Sequence, residues 1–195
     1  MKNSLNGEVV VVTGGSGLLG SQYMKAIQEI GGTPVSLDIK EPDVKVSNIT
    51  GFYHIKCDIT KEEEIVAALK EIKGTFKNPI YGLINNAALD PKLDKAYTDT
   101  PRTGLEHYSS DYFQKELSVS LFGSFLCSRA FGKEMIANKR GSIINISSIL
   151  GITAPNTNFY DKLGTVKPFG YTVVKHAAIG ITKHIATEWA KHGIR

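Results

Sequence analysis

Val9-Val10-Val11-Val12-Thr13-Gly14-Gly15-Ser16-Gly17-Leu18-Leu19-Gly20 is the stretch that decides the fold. Its unbroken β-branched run predicts a strand over residues 8–13, buried on both faces as in a parallel sheet covered by helices. The glycines permit a tight turn and let a ligand approach the backbone. A helix read over residues 17–30 follows, ended by Gly31-Gly32. Between a buried strand and a helix, such a turn offers free N–H groups and the positive end of a helix dipole to a pyrophosphate. Gly14, Ser16, Gly17, Leu18, Leu19 and Gly20 are therefore candidate dinucleotide-binding residues; the alternative is a turn with no ligand.

Working outward, apolar runs at 34–39, 52–58, 80–85 and 142–147 read as four further strands. Amphipathic stretches at 60–72, 111–138 and 169–192 read as helices, with Thr60 as N-cap and Glu63 completing a capping box. The alternation predicts an α/β fold: a Rossmann-type, doubly wound parallel sheet in the order 3-2-1-4-5, formed by one domain over residues 1–195. Residues 90–107 and 151–168 are polar, Pro- and Gly-containing loops, long enough to expect a functional role. Asp38 ends the second strand, 18 residues past Gly20, where a Rossmann unit places the carboxylate that receives the adenine ribose. Its charge would repel a 2′-phosphate, which favours NAD over NADP, with Lys40 partly offsetting the repulsion. The blander reading of Asp38 is a loop or capping residue.

Composition excludes several classes. The 195 residues are 42% hydrophobic and carry a net charge of +4 spread along the chain, so neither a disordered tail nor a nucleic-acid surface is expected. No apolar run is long enough to span a membrane, and Val9–Val12 is too short for a secretory leader, so the expected compartment is the cytoplasm. Cys57 and Cys127 lie seventy residues apart and read as reduced, buried thiols. His54, His107, His176, His184 and His192 show no metal-ligand spacing, and no metal is expected.

Taken in order, the Thr13–Gly20 turn, Asp58, Asn85-Asn86-Ala87-Ala88, Ser147-Ser148 and Tyr171-Thr172-Val173-Val174-Lys175 resemble the short-chain dehydrogenase/reductase family over nearly the whole chain. The resemblance implies that Asp58 and Ile59 flank an adenine, that Asn86, Ala87 and Ala88 border the cofactor, and that Ser148 binds the reacting oxygen. Tyr171 would then be general acid/base, and Lys175 would tune it and bind the nicotinamide ribose. The Tyr171/Lys175 spacing supports these roles independently. Residues four apart share a helix face, and an ammonium beside a phenol, whose free pKa is about 10, favours the phenolate. The implied activity is hydride transfer between NAD(H) and a secondary alcohol or carbonyl compound. The implied assembly is a homodimer or homotetramer through the two longest helices.

Three departures accompany the resemblance. Leu18 stands where the commonest branch has its second glycine, as in the sugar-nucleotide-modifying branch. Ser120 replaces the usual Asn of the long helix, where a proton relay is anchored. Ser148 and Tyr171 are 23 residues apart, about twice the common spacing, through an insertion at 156–168. A similar lengthening in reductases of flagellin and surface-glycan modification suggests a sugar derivative as substrate. Two other readings stay open: a dinucleotide-binding regulator or scaffold without turnover, and a sugar-nucleotide epimerase or dehydratase. Measured against the family, the chain is expected to be a truncated or incomplete enzyme, with its fifth strand left as an exposed edge.

Overall fold

The computed structural model describes residues 4–42, 52–89, 105–162 and 167–195. Strands β1 (Val9–Thr13), β2 (Thr33–Asp38), β3 (Tyr53–Lys56), β4 (Ile80–Asn85) and β5 (Ser142–Asn145) form one sheet in the order β3-β2-β1-β4-β5. All four pairings are parallel, with Val11 lying between Val35 and Leu83. This is the expected fold and strand order.

The run Val9–Val12 explains why β1 is central. Successive side chains point to opposite faces of a strand, so a strand covered on both faces must be apolar throughout. Val9 and Val11 join one core with Ile65, Leu126, Phe131 and Met135. Those partners belong to α2 (Glu62–Thr75) and α4 (Ser124–Ala137). Val10 and Val12 join a second core with Met24 and Ile27 of α1 (Leu18–Glu29) and with Ile84. The ligand crevice of such a sheet lies beyond the carboxyl ends of the strands, where the order reverses between β1 and β4.

Several local expectations are corrected. Helix α2 starts at Glu62 with Lys61 as N-cap, not at Thr60. Asp58 is the reason: its Oδ1 accepts both the N–H (3.0 Å) and the hydroxyl (2.7 Å) of Thr60, closing a turn before the helix. Glu64, not Glu63, reaches back, accepting the Asp58 N–H at 2.7 Å. The long helix is three consecutive segments: α3 (Ser110–Glu116), a π-helical segment (Leu117–Gly123) and α4. Hydroxyls back-bond onto the helix there, Ser118 to Gln114 O and Ser124 to Ser120 O, each at 2.8 Å. Residues 157–162, expected as loop, form the helix α5 (Thr157–Lys162), which precedes α6 (Phe169–Trp189). Residues 163–166 of that insertion and 90–104 of the other loop lie outside the described residues.

The edge of β5 is not bare. Ile194 pairs in parallel with Gly141, and Ile143 N–H donates to Arg195 O at 2.9 Å. Both cysteines are free and buried, and burial pushes the Cys57 thiol up to about 12 and the Cys127 thiol up as well. Neither forms a reactive thiolate at neutral pH. Among the described residues no helix is long and apolar enough to cross a membrane, and no His/Cys/Asp/Glu cluster could hold a metal.

Candidate functional site

The site has two halves, both at the carboxyl ends of the strands. The first is built by the turn between β1 and α1. Gly14 has φ +66°, a left-handed conformation that suits glycine. Gly17 is the N-cap of α1, so the helix begins at Leu18, one residue later than expected. A Cβ on Gly20 would lie 2.0 Å from Gly14 O and 2.8 Å from Gly15 Cα, so only glycine permits this closure. Leu18 and Leu19 are 79% and 54% exposed and lead the helix toward solvent, leaving its first N–H groups available to an anion. Asp38 comes to the same turn: its Oδ2 accepts the Ser16 N–H at 3.0 Å, and its Oδ1 accepts the Lys40 N–H at 3.0 Å. A dinucleotide therefore fits here, with a glycine cradle that a Cβ would fill, a helix N-terminus and a carboxylate at the end of β2.

Asn86 joins this half to β4. Its side chain donates to Thr13 O at 3.0 Å and Gly14 O at 3.2 Å, while Thr13 Oγ1 accepts the N–H groups of Asn86 (3.0 Å) and Ala87 (3.1 Å). Asn86, Ala87 and Ala88 are half-buried along the crevice. Asp58 is half-buried, but Ile59 is core: its side chain is 5% exposed and fills the space beside Gly123. An adenine at this position would meet the backbone of Ile59 rather than its side chain.

The second half is held by α6. Lys175 is 6% exposed, and its Nζ donates to Ile146 O at 2.7 Å, which ties the helix to the segment after β5. The same Nζ stands 5.5 Å from the centroid of the Tyr171 ring, so the two residues share one face as their spacing requires. Ser147 and Ser148 separate cleanly. Ser147 Oγ donates to Lys175 O at 2.8 Å and is spent on holding α6. Ser148 Oγ accepts the Leu150 N–H at 3.2 Å, which leaves its own hydroxyl proton to donate.

Beneath Lys175 lies a cavity of about 10 Å³ lined by Ser120, Ser124, Asn85, Asn145 and Lys175. Ser120 Oγ and Asn85 Oδ1 are buried and meet no hydrogen-bond partner among the described residues. Ser120 falls in the π-helical segment, a distortion that concentrates at functional sites. Asn85 also ties the elements together, donating to Ser128 Oγ at 3.0 Å and to Asn145 Oδ1 at 2.8 Å. Asn145 in turn donates to Thr182 Oγ1 of α6 at 2.9 Å.

Residues 8–195 match the family model described as short chain dehydrogenase. The chain belongs to the short-chain dehydrogenase family. It is 30% identical over 194 residues to the NAD-dependent glycerol dehydrogenase of Listeria innocua, covering 98% of this chain and 68% of that one. It is 32% identical over 200 residues to the 3-alpha-(or 20-beta)-hydroxysteroid dehydrogenase of Mycobacterium bovis, covering 100% and 68%. A solved short chain dehydrogenase of Leptospira borgpetersenii with bound NAD+ superposes with a TM-score of 0.81 at 27% identity, covering 98% of this chain and 69% of that chain. The protein is thus an NAD(P)-dependent oxidoreductase of the alcohol dehydrogenase class.

Sequence reasoning missed three residues around the site of this dehydrogenase. Asn145 carried no signal beyond its place at the end of a strand. Lys167 has its Nζ 3.7 Å from the centroid of the Tyr171 ring, adding a second ammonium beside the phenol. Glu116 is fully buried. Its signal was present: an acid on the inward stripe that continues through Ser120, Ser124, Cys127 and Phe131.

Proposed function

We propose that this dehydrogenase interconverts a secondary alcohol and its carbonyl compound with NAD(H), using Tyr171, Lys175 and Ser148. The observation that carries the reading is the division of labour around α6. Ser147 and Ile146 O hold the helix at Lys175, while Ser148 and Tyr171 are left to meet a substrate oxygen. A dinucleotide, when bound, supplies the hydride acceptor or donor. The chain does the rest. Ser148 donates a hydrogen bond to the reacting oxygen and orients it. Tyr171 takes the hydroxyl proton as the alcohol becomes a carbonyl, and returns it in the reverse direction. Lys175 and Lys167 set positive charge where the phenol oxygen gains negative charge in that transfer. Ser120, Asn85 and Lys175 surround a cavity that can hold one water, a route for the proton away from Tyr171 in which Ser120 takes the place of the usual Asn.

Gly14, Ser16, Gly17, Leu18, Leu19 and Gly20 would hold the pyrophosphate, and Asp58, Asn86, Ala87 and Ala88 would border the nucleoside halves. Asp38 favours NAD, because its carboxylate lies against the glycine turn where a 2′-phosphate would bring like charge. The substrate class is a polyol or sugar derivative, as the resemblance of the lengthened segment before Tyr171 to that of glycan-modifying reductases implies. The insertion contains the helix α5, and the glycerol dehydrogenase relative acts on a polyol by name. Phe122 and Phe125, 50% and 45% exposed on the π segment and α4, support a dimer formed through these helices. Free cysteines support residence in a reducing compartment such as the cytoplasm.

The test is steady-state reduction of NAD and NADP with glycerol, longer polyols and hydroxysteroids. Wild type is expected to prefer NAD, and Asp38→Ser to raise the NADP/NAD ratio of kcat/KM about 10- to 100-fold. An NADP preference in wild type would overturn the Asp38 reading. Tight NADH binding with no turnover on any compound would favour the regulator instead.

A further inference from the structure

Glu116 ends α3 and is 0% exposed. A buried carboxyl is costly unless hydrogen-bonded, and Met or Leu would fill the same space without that cost. Its Oε2 accepts a 2.6 Å hydrogen bond from Tyr108 Oη. Glu116 thereby sets the Tyr108 hydroxyl beside the backbone of Gly170, the second residue of α6 and the neighbour of Tyr171. A Cβ on Gly170 would fall 1.9 Å from Glu116 Oε2, so glycine is what lets the carboxyl lie against the first turn of α6. That turn has no side-chain cap of its own, with Pro168 at the N-cap. The first N–H groups of a helix need acceptors from outside it, and its positive end favours a carboxylate. Phe113 packs on Phe169 at 5.5 Å, and Tyr108 on Phe169 at 6.1 Å, closing the contact with aromatic rings.

We propose that Glu116 is a positioning residue: through Tyr108 it caps α6 from outside the helix and fixes Tyr171 relative to Ser148. Because α3 runs directly into Leu117–Gly123, the same contact locks the segment carrying Ser120 to the helix carrying Tyr171. The proposal rests on the role given to Tyr171 above, but the anchoring itself does not.

Hydrogen exchange of the full chain, read over residues 167–175, separates the two. Tyr108→Phe removes one oxygen, Glu116→Met removes the acceptor, and Glu116→Gln keeps an acceptor oxygen. Exchange in the first turn of α6 is expected to rise about ten-fold in Y108F and E116M, with β1 and β4 unchanged and E116Q close to wild type. Turnover should fall about ten-fold or more in Y108F and E116M, while the KM for NAD stays within about two-fold. Wild-type exchange over residues 167–175 in Y108F overturns the proposal, whether or not E116M folds. So does wild-type turnover in Y108F where Tyr171→Phe is inactive. If Tyr171→Phe is itself fully active, the reading of Tyr171 fails, and exchange alone decides the anchor.

Discussion

Tyr171→Phe is expected to lower turnover about 10²- to 10⁴-fold while NADH binding stays nearly unchanged. The substitution removes one oxygen from a ring that keeps its packing: Lys167 at 3.7 Å and Lys175 at 5.5 Å still face it. What is lost is the group that exchanges a proton with the substrate oxygen. Neither Ser148 nor Lys175 replaces it. The Ser148 hydroxyl orients the oxygen but is too weak an acid for the task, and the Lys175 ammonium is tied to Ile146 O. The loss should fall on kcat, since an interaction made only in the transition state is removed. NADH fluorescence titration beside steady-state kinetics checks both halves. Normal turnover in the variant would sink the assignment.

Gly20→Ala is expected to have the second large effect. The added Cβ meets Gly14 O at 2.0 Å and Gly15 Cα at 2.8 Å, backbone atoms that cannot turn aside as a side chain would. The turn must open. Overpacking of this kind costs about 1–3 kcal/mol of stability, and a displaced turn should weaken NADH binding by at least about ten-fold. The same substitution at Gly74 is the control. A Cβ there meets nothing within 4 Å, so Gly74→Ala should stabilise α2 by about 0.5–1 kcal/mol. Denaturant unfolding and NADH titration of both variants make the comparison. Wild-type affinity in Gly20→Ala would show that the turn does not hold the dinucleotide.

Both expectations come from parts of the chain that the sequence made readable. The run Val9–Val12 could only be a strand covered on both faces, and the glycines after it could only be a tight turn. Those local facts fixed the centre of the sheet and the first half of the site. Tyr171 and Lys175 were readable through the family resemblance, and helical spacing puts the two on one face. What stayed hidden depends on contacts between distant segments. Thr60 looked like an N-cap until Asp58 captured its N–H and hydroxyl. The long helix gave no sign of its π segment, because hydroxyl back-bonding at Ser118 and Ser124 competes with the regular ladder without changing the apolar stripe. The cover on β5 by Ile194 and Arg195 is a pairing across about fifty residues. Glu116 was visible as an acid on an inward face, but its partners Tyr108 and Gly170 lie on other elements.

The most direct measurement is a crystal structure of the protein with NADH. The pyrophosphate is expected on the N–H groups after Gly17, the adenine ribose hydroxyls on Asp38 and the nicotinamide ribose toward Lys175, with its ring near Tyr171 and Ser148. A dinucleotide bound away from the Gly14–Gly20 turn, or with its nicotinamide on the Asp38 side, would contradict it.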